Sequence, residues 1–218
     1  MNKLKNWLVI LSVLFAFSST SVKADMQEGF YIGWNTTMNG IAADGSNTDS
    51  QSNATTGTAG KIALIGGTDV GYTYGSEWFV DIGMTNVFGK ATMSAKSDDG
   101  GTTNDVTFEV SDPWTAYVSV GHTIGDSSAW YAKFGYSEAD AKTTGDVTQP
   151  PDLEGTTFAV GTKTQVTENF QIRTEVGRTT YDNIGVVGKG TSGGIETTTK
   201  FSADPEVAYG GVNLVLTF

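Results

Sequence analysis

Period-two patterning is the feature that most constrains this chain. Eight segments alternate apolar and polar residues, and turn-forming residues separate them. The segment from Glu206 to Phe218 shows it most plainly. Val212, Leu214, Leu216 and Phe218 fall on one face; Tyr209, Gly211, Asn213 and Thr217 fall on the other, with Val215 as the apolar exception. An aromatic residue at the end of an open sheet edge invites edge-to-edge association, unless the edge pairs and the apolar face meets something apolar. A barrel closed within a lipid bilayer meets both needs.

Seven earlier segments repeat the pattern. Their apolar faces carry Phe30, Ile32 and Trp34; Ile62, Leu64, Val70, Tyr72 and Tyr74; Trp78, Val80, Ile82 and Met84; Trp114, Ala116, Val118, Val120 and Ile124; Trp130, Ala132, Phe134 and Tyr136; Phe158, Val160 and Val166; and Phe170, Ile172 and Val176. Short turns, such as Gly75-Ser-Glu77 and Thr167-Glu-Asn169, alternate with long polar stretches at 39–60, 89–105, 143–155 and 183–200. Short turns at one end and long loops at the other describe an all-β fold, an eight-stranded antiparallel up-and-down transmembrane β-barrel.

Alternation alone fits a soluble barrel as well, with the apolar face buried. The glycines choose between the two. Gly33, Gly71, Gly83, Gly121, Gly135, Gly161, Gly177 and Gly211 fall one per segment, all on the polar face. Strand glycine weakens a sheet and needs a local reason. The crowded lumen of an eight-stranded barrel supplies one, since it is barely wide enough for its own side chains. The polar face therefore points inward and the apolar face meets lipid. Phe30, Tyr74, Trp78, Trp130, Phe170 and Phe218 share the outward face at the turn ends, as a membrane-interface girdle does. Trp34, Phe88, Trp114, Tyr136 and Phe158 make a looser upper ring.

The amino terminus reads separately. Basic Lys3 and Lys5, an apolar run from Trp7 to Phe17 and a small-residue site ending at Ala24 form a signal peptide, 1–24, ahead of a barrel, 25–218. The run is too short to span a bilayer. Losing Lys3, Lys5 and Lys23 takes the formal charge from -11 to -14, which excludes nucleic acid as a partner. With no Cys there is neither a disulfide framework nor a thiolate nucleophile.

With these residues in hand, the chain resembles the small outer-membrane β-barrels of the OmpA and OmpX kind. The resemblance rests on Leu214-Val-Leu-Thr-Phe218 and on Trp130-Tyr-Ala-Lys-Phe-Gly-Tyr-Ser137. It implies a bacterial outer-membrane location, outer-membrane lipid and the barrel-assembly machinery as partners, and a monomer. It also implies that Val212, Leu214, Leu216 and Phe218 act as the assembly signal. Activity does not follow, since one fold hosts many functions.

Chemistry-bearing motifs are sparse. His122, the sole histidine, has outward parity near the turn end and lacks an evident nucleophile and orienter. Gly185-Val-Val-Gly188-Lys-Gly190 lacks phosphate-loop spacing and reads as a loop. Asp44 to Asp49 and Asp98-Asp99-Gly100 do not fit a calcium loop. Glu138 and Asp140 read as solvated carboxylates. The expectation is a non-enzymatic barrel without catalytic residue, metal or cofactor, with a structural or surface-contact role (adhesion or envelope integrity) and an unidentified ligand for its loops. A lipid A acyl hydrolase or transferase, or a narrow porin, are the alternatives.

Six inward-parity charges remain: Asp69, Asp81, Lys133, Lys163, Arg173 and Glu175. Aligning outward residues across the turns sets Gly71 opposite Asp81, Gly121 opposite Lys133 and Lys163 opposite Arg173. Glycines beside the charges leave room for the long chains to cross. Acids of the second and third segments are then expected to reach bases of the sixth and seventh, Asp81 with Arg173 and Asp69 with Lys163, in a lumen-plugging network.

Overall fold

The computed structural model describes residues 28–48, 54–99, 102–144, 148–192 and 195–218. The signal-peptide segment lies outside them. Ten strands run in order: β1 (Gly29–Thr48), β2 (Ala54–Tyr74), β3 (Trp78–Phe88), β4 (Lys90–Asp99), β5 (Thr102–Ile124), β6 (Ser128–Thr144), β7 (Leu153–Thr167), β8 (Phe170–Tyr181), β9 (Ile184–Ser192) and β10 (Ile195–Thr217). They form eight walls, because β4 continues the path of β3 and β9 that of β8. The sheet runs β1-β2-β3-β5-β6-β7-β8-β10, and β10 pairs antiparallel with β1 to close the barrel.

Closure has a definite stagger. Following paired residues from Trp78 leads through His122, Trp130, Thr162, Thr174, Val212, Thr36 and Gly66 back to β3 at Phe88. The circuit returns ten positions along the strand (88 − 78 = 10), so the shear is ten. Eight strands with that shear tilt by about 40° and give a backbone radius of about 8 Å. Little room remains inside.

Faces sort as the alternation requires. Ile62, Leu64, Ile82, Phe134, Val160 and Leu214 are exposed on the outer surface, whereas Tyr31, Phe79, Asp81, Tyr117, Lys163 and Val215 are buried. Exposed apolar side chains in a continuous belt are stable only against hydrocarbon. At the lower rim Phe30 packs edge-on to Tyr72 at 4.9 Å, and Trp78 edge-on to His122 at 4.6 Å. Phe30, Tyr74, Trp78, Trp130 and Phe218 are exposed there, while Phe170 is half-buried. Trp34, Phe88, Tyr136 and Phe158 are likewise exposed higher up.

Three of the four expected long loops are instead mostly hairpin. Residues Asn39–Thr48 pair with Ala54–Ala63, β4 pairs with β5, and β9 pairs with β10. Gly185 to Gly190 accordingly lies in β9, not in a loop. The sequence hides these extensions for a physical reason. Above the bilayer the outer face of a strand meets water instead of lipid, so the outward positions no longer carry an apolar residue at every second place. Backbone pairing continues regardless, and threonines suit it. The segment 143–155 is different: Thr148–Asp152 lies outside any strand and is strapped down by Thr148, whose backbone donates to the Val187 carbonyl at 2.9 Å and whose hydroxyl accepts from the Val187 N–H at 2.9 Å.

One wall breaks at Gly89, whose φ of 132° suits glycine and separates β3 from β4. Opposite it β5 bulges between Ser111 and Trp114, with Asp112 at a φ of 51° ahead of Pro113. The β2–β3 ladder ends at Gly66 opposite Phe88. Among the described residues, β4 pairs only with β5.

Inside and outside can be tested one residue apart. Val160→Arg places a charge on the lipid face and should cost roughly 2–4 kcal/mol if it lies at the bilayer midplane. Ala159→Ser, in the lumen, should cost far less. Denaturant unfolding in lipid vesicles measures both, and equal losses would count against this orientation.

Candidate functional site

All six inward charges line the middle and lower lumen. At the lower level Lys163 Nζ donates to Asp81 Oδ1 at 2.7 Å and stands 2.6 Å from Oδ2 as its ion-pair partner, and each side chain is only 1% exposed. Asp81 also accepts from Thr73 at 2.7 Å and Ser119 at 2.6 Å. The ammonium of Lys163 sits over the Phe79 ring at 4.1 Å from its centroid. A step higher, Arg173 Nη1 stands 3.7 Å from Asp69 Oδ2, and its guanidinium lies 4.0 Å over the Tyr31 ring. Asp69 accepts further bonds from Tyr117 at 2.7 Å and from Asn213 at 2.8 Å. Glu175 pairs with Lys133 and accepts from Tyr131 and Tyr209, each at 2.9 Å. The Asp81–Lys163 and Asp69–Arg173 pairs cross the lumen, joining strands three places apart around the ring (β3 with β7, β2 with β8), whereas Lys133–Glu175 bridges β6 and β8 with β7 between them.

The pairing differs from the expectation. Asp81 meets Lys163 rather than Arg173, and Asp69 meets Arg173 rather than Lys163. The cause is register. Thr73 stands opposite Asp81, Gly71 opposite Gly83, and Asp69 opposite Thr85. Gly121 stands opposite Tyr131, not Lys133. Turn geometry sets these offsets, which alignment of outward aromatics cannot resolve. Lys163 does stand opposite Arg173, and each turns to an acid on a different strand.

Tyrosines, which the sequence reading passed over, complete the site. Five strand-paired glycines each seat an aromatic ring: Tyr31 over Gly71, Tyr117 over Gly83, Phe79 over Gly121, Tyr131 over Gly161 and Tyr209 over Gly177. A Cβ built at Gly71 would stand 2.4 Å from the Tyr31 hydroxyl, and one at Gly121 would stand 2.2 Å from Phe79. The glycines therefore admit rings that lie flat across the wall; the hydroxyls of Tyr117, Tyr131 and Tyr209 reach the acids, and that of Tyr31 bonds the Tyr117 hydroxyl at 2.6 Å. The available signal was parity: Tyr31, Phe79, Tyr117, Tyr131 and Tyr209 break the otherwise polar inward face.

Above the charges a chain of hydroxyls runs across four neighbouring strands, β5 to β8. Thr115 meets Ser137 at 2.7 Å, Ser137 meets Thr157 at 2.6 Å, and Thr157 meets Thr179 at 2.6 Å. Higher still, the lumen turns apolar. Val110, Leu153, Tyr181 and Ile184 form a buried cluster.

Other candidates lie apart from this site. His122 sits outside the barrel, edge-on to Trp78 and 3.8 Å from Glu77. Glu138 and Asp140 face outward, and Tyr136 donates to Glu138 at 3.5 Å. The side chains of Asp44, Asp98 and Asp99 lie outside the described ones. No cluster of potential metal ligands occurs among the described residues.

A closed antiparallel barrel with an apolar outer belt, aromatic rims and a packed ionic interior is an integral outer-membrane β-barrel protein. The chain belongs to the outer membrane protein beta-barrel domain family, whose model matches residues 9–211. Its fold is similar to the crystal structure of OprG from Pseudomonas aeruginosa, with a TM-score of 0.58 at 13% identity over 91% of this chain and 100% of OprG. It is also similar to AlkL, solved by solid-state NMR in lipid bilayers, with a TM-score of 0.54 at 15% identity over 93% of this chain and 96% of AlkL. No curated protein matches the sequence. The protein resides in the bacterial outer membrane.

Removing one member of a buried pair leaves the other uncompensated, typically at about 3–5 kcal/mol. Asp81→Asn and Lys163→Gln should each approach that loss, and the double variant should lose much less than their sum. Unfolding of all three in lipid vesicles gives the coupling. Additive losses would mean that the two side chains are separately solvated.

Proposed function

We propose that this protein is a non-enzymatic barrel whose lumen is closed by its cross-barrel ion pairs and whose roles are envelope integrity and surface contact. The carrying observation is the Asp81–Lys163 pair, which joins facing walls with both side chains 1% exposed. A lysine and an aspartate that cross the bore with almost no accessible surface are what closes the lumen at that level in this reading. Rigidity is the second consequence, because the ladder bonds and the ion pairs brace the same walls. The paired strands β1–β2 and β4–β5, with residues 148–152 held at Thr148, belong to the surface that meets the exterior. Exposed ion pairs at Arg178–Glu206 (2.7 Å) and Lys90–Glu109 (3.0 Å) keep that surface hydrophilic.

Chemistry of the hydrolase type needs a nucleophile, a base and an orienter in mutual reach. His122 has a ring and a distant carboxylate as neighbours, on the lipid side of the lower rim. That arrangement supports a structural role for it. The remaining parts of the reading are a mature chain starting at Asp25, a monomer, and delivery by the barrel-assembly machinery through the closing strand.

Reconstitution in planar bilayers tests closure: the wild type should show no large steady conductance, and Asp81→Ala combined with Lys163→Ala should show more. A large open level in the wild type would revive the narrow-porin reading. Deleting Phe218 should reduce the folded, membrane-inserted fraction, read as the heat-modifiable band on a gel. The residue is exposed on the outer face, and its N–H donates to the Phe30 carbonyl at 2.8 Å across the closing seam. Normal amounts of folded barrel would refute the assembly role.

A further inference from the structure

The lipid-facing belt is not apolar throughout. Trp34, Thr68, Asn86 and Trp114 stand side by side in one row across β1, β2, β3 and β5. The residues next to them in sequence, Asn35, Asp69, Thr85 and Thr115, line the lumen, so by alternation the row faces outward. Asn86 stands eight residues along β3 from Trp78 of the lower girdle (86 − 78 = 8). At about 3.3 Å per residue and a tilt of about 40°, that is a rise of about 20 Å. The apolar band of a barrel is about 25 Å tall, so Asn86 lies in its outer-leaflet half, about 5 Å beneath the upper edge.

A carboxamide and a hydroxyl at that depth need partners. Thr162 and Thr174, also of outward parity, satisfy each other at 2.8 Å. Among the described residues the side chains of Thr68 and Asn86 make no such bond, and both are half-buried. Hydrocarbon offers them no water, so the missing bonds are costly unless a neighbour in the bilayer supplies them. The relief of the surface marks where that neighbour sits. Trp34, 54% exposed, bounds the row on one side, and Trp114, edge-on to Tyr136 at 6.1 Å, bounds it on the other. Between them the short side chains of Thr68 and Asn86 form a floor, with Gly66 above Thr68 and Phe88 above Asn86. Three strand spacings separate the two tryptophans, about 14 Å, which is wide enough for a pair of acyl chains.

The chemistry of the floor selects among outer-leaflet lipids. Asn86 and Thr68 each offer a donor and an acceptor. The ester carbonyls of a phosphatidyl lipid only accept, and they sit at the edge of the apolar band. An amide-linked acyl chain with a hydroxyl on its β-carbon both donates and accepts, and that hydroxyl lies two bonds below the carbonyl, inside the band. We propose that the notch between Trp34 and Trp114 is a docking site for an outer-leaflet lipid with amide-linked, β-hydroxylated acyl chains. The lipid hydroxyl donates to Asn86 Oδ1, the Thr68 hydroxyl or Asn86 Nδ2 donates to the lipid amide carbonyl, and the chains run down past Val70, Met84 and Ala116.

The test uses the full chain folded in phosphatidylcholine vesicles that contain a glucosamine lipid N-acylated with brominated β-hydroxytetradecanoyl chains. The same lipid with brominated chains lacking the hydroxyl is the baseline. Bromine quenches tryptophan fluorescence on contact, so quenching reports occupancy beside Trp34 and Trp114. The hydroxylated lipid should show about fivefold higher apparent affinity than the baseline lipid, the scale of one hydrogen bond. Thr68→Val combined with Asn86→Leu should abolish the difference. Both changes make the belt more apolar, so this barrel should insert as the wild type does, read from its heat-modifiable band. NMR on the wild type should show the Asn86 side-chain amide in contact with the hydroxyl-bearing carbon of the lipid, which depends on no variant folding. Equal affinities for the two lipids, a difference that survives the double variant, or lipid contacts away from Asn86 would each overturn the proposal. So would efficient cross-linking of Asn86→Cys to a second copy at high lipid excess, which would assign the notch to a protein neighbour.

Discussion

Closure of the backbone ladder inside hydrocarbon governs everything else in this molecule. In lipid an unpaired N–H or C=O has no water to turn to, so the sheet must end where it began. The β1–β10 seam does this over residues Tyr31–Thr48 and Lys200–Thr217. Closing eight strands with a shear of ten fixes a narrow bore, and the narrow bore dictates the interior. Small residues must stand wherever a large neighbour crosses. Gly71, Gly83, Gly121, Gly161 and Gly177 take that place, each beneath a ring from the next strand.

The ionic interior follows from the same constraint. A bore of this width brings facing walls within reach of one lysine or arginine side chain. Charges so placed lose water and need partners with good geometry. Asp81 makes use of both oxygens toward Lys163, with Thr73 and Ser119 in support. Asp69 and Glu175 draw on tyrosine hydroxyls in the same way. Aromatic rings thus serve two purposes: they fill the space over glycine, and they supply donors to the acids. Above them the demand changes, since the hairpins rise into water and the inward faces become apolar. That switch along the bore divides the lumen into a braced base and an apolar upper part.

Family membership and likeness to OprG and AlkL establish the architecture and the location. At 13% and 15% identity they say nothing further about what the lumen holds. Function on a shared fold rests on the particular side chains grafted onto it. For this chain those are the ion pairs of the lumen and the row Trp34–Thr68–Asn86–Trp114 on the lipid face.

Period two in sequence was enough to reveal eight walls, the inward glycines and the outward aromatics, because a membrane-spanning strand meets two unlike media and must sort its residues. Parity likewise singled out Asp69, Asp81, Lys133, Lys163, Arg173 and Glu175 as inward. Above the bilayer that contrast vanishes, and the paired extensions of β1, β2, β4 and β9 looked like loops. Registers were also beyond the sequence. Turn conformation decides them, and a shift of two residues preserves every face while exchanging every partner. So the alternation determined which side chains enter the lumen, whereas only the closed, sheared barrel decided that Asp81 meets Lys163, that Tyr131 rests on Gly161, and that Trp34, Thr68, Asn86 and Trp114 share one row.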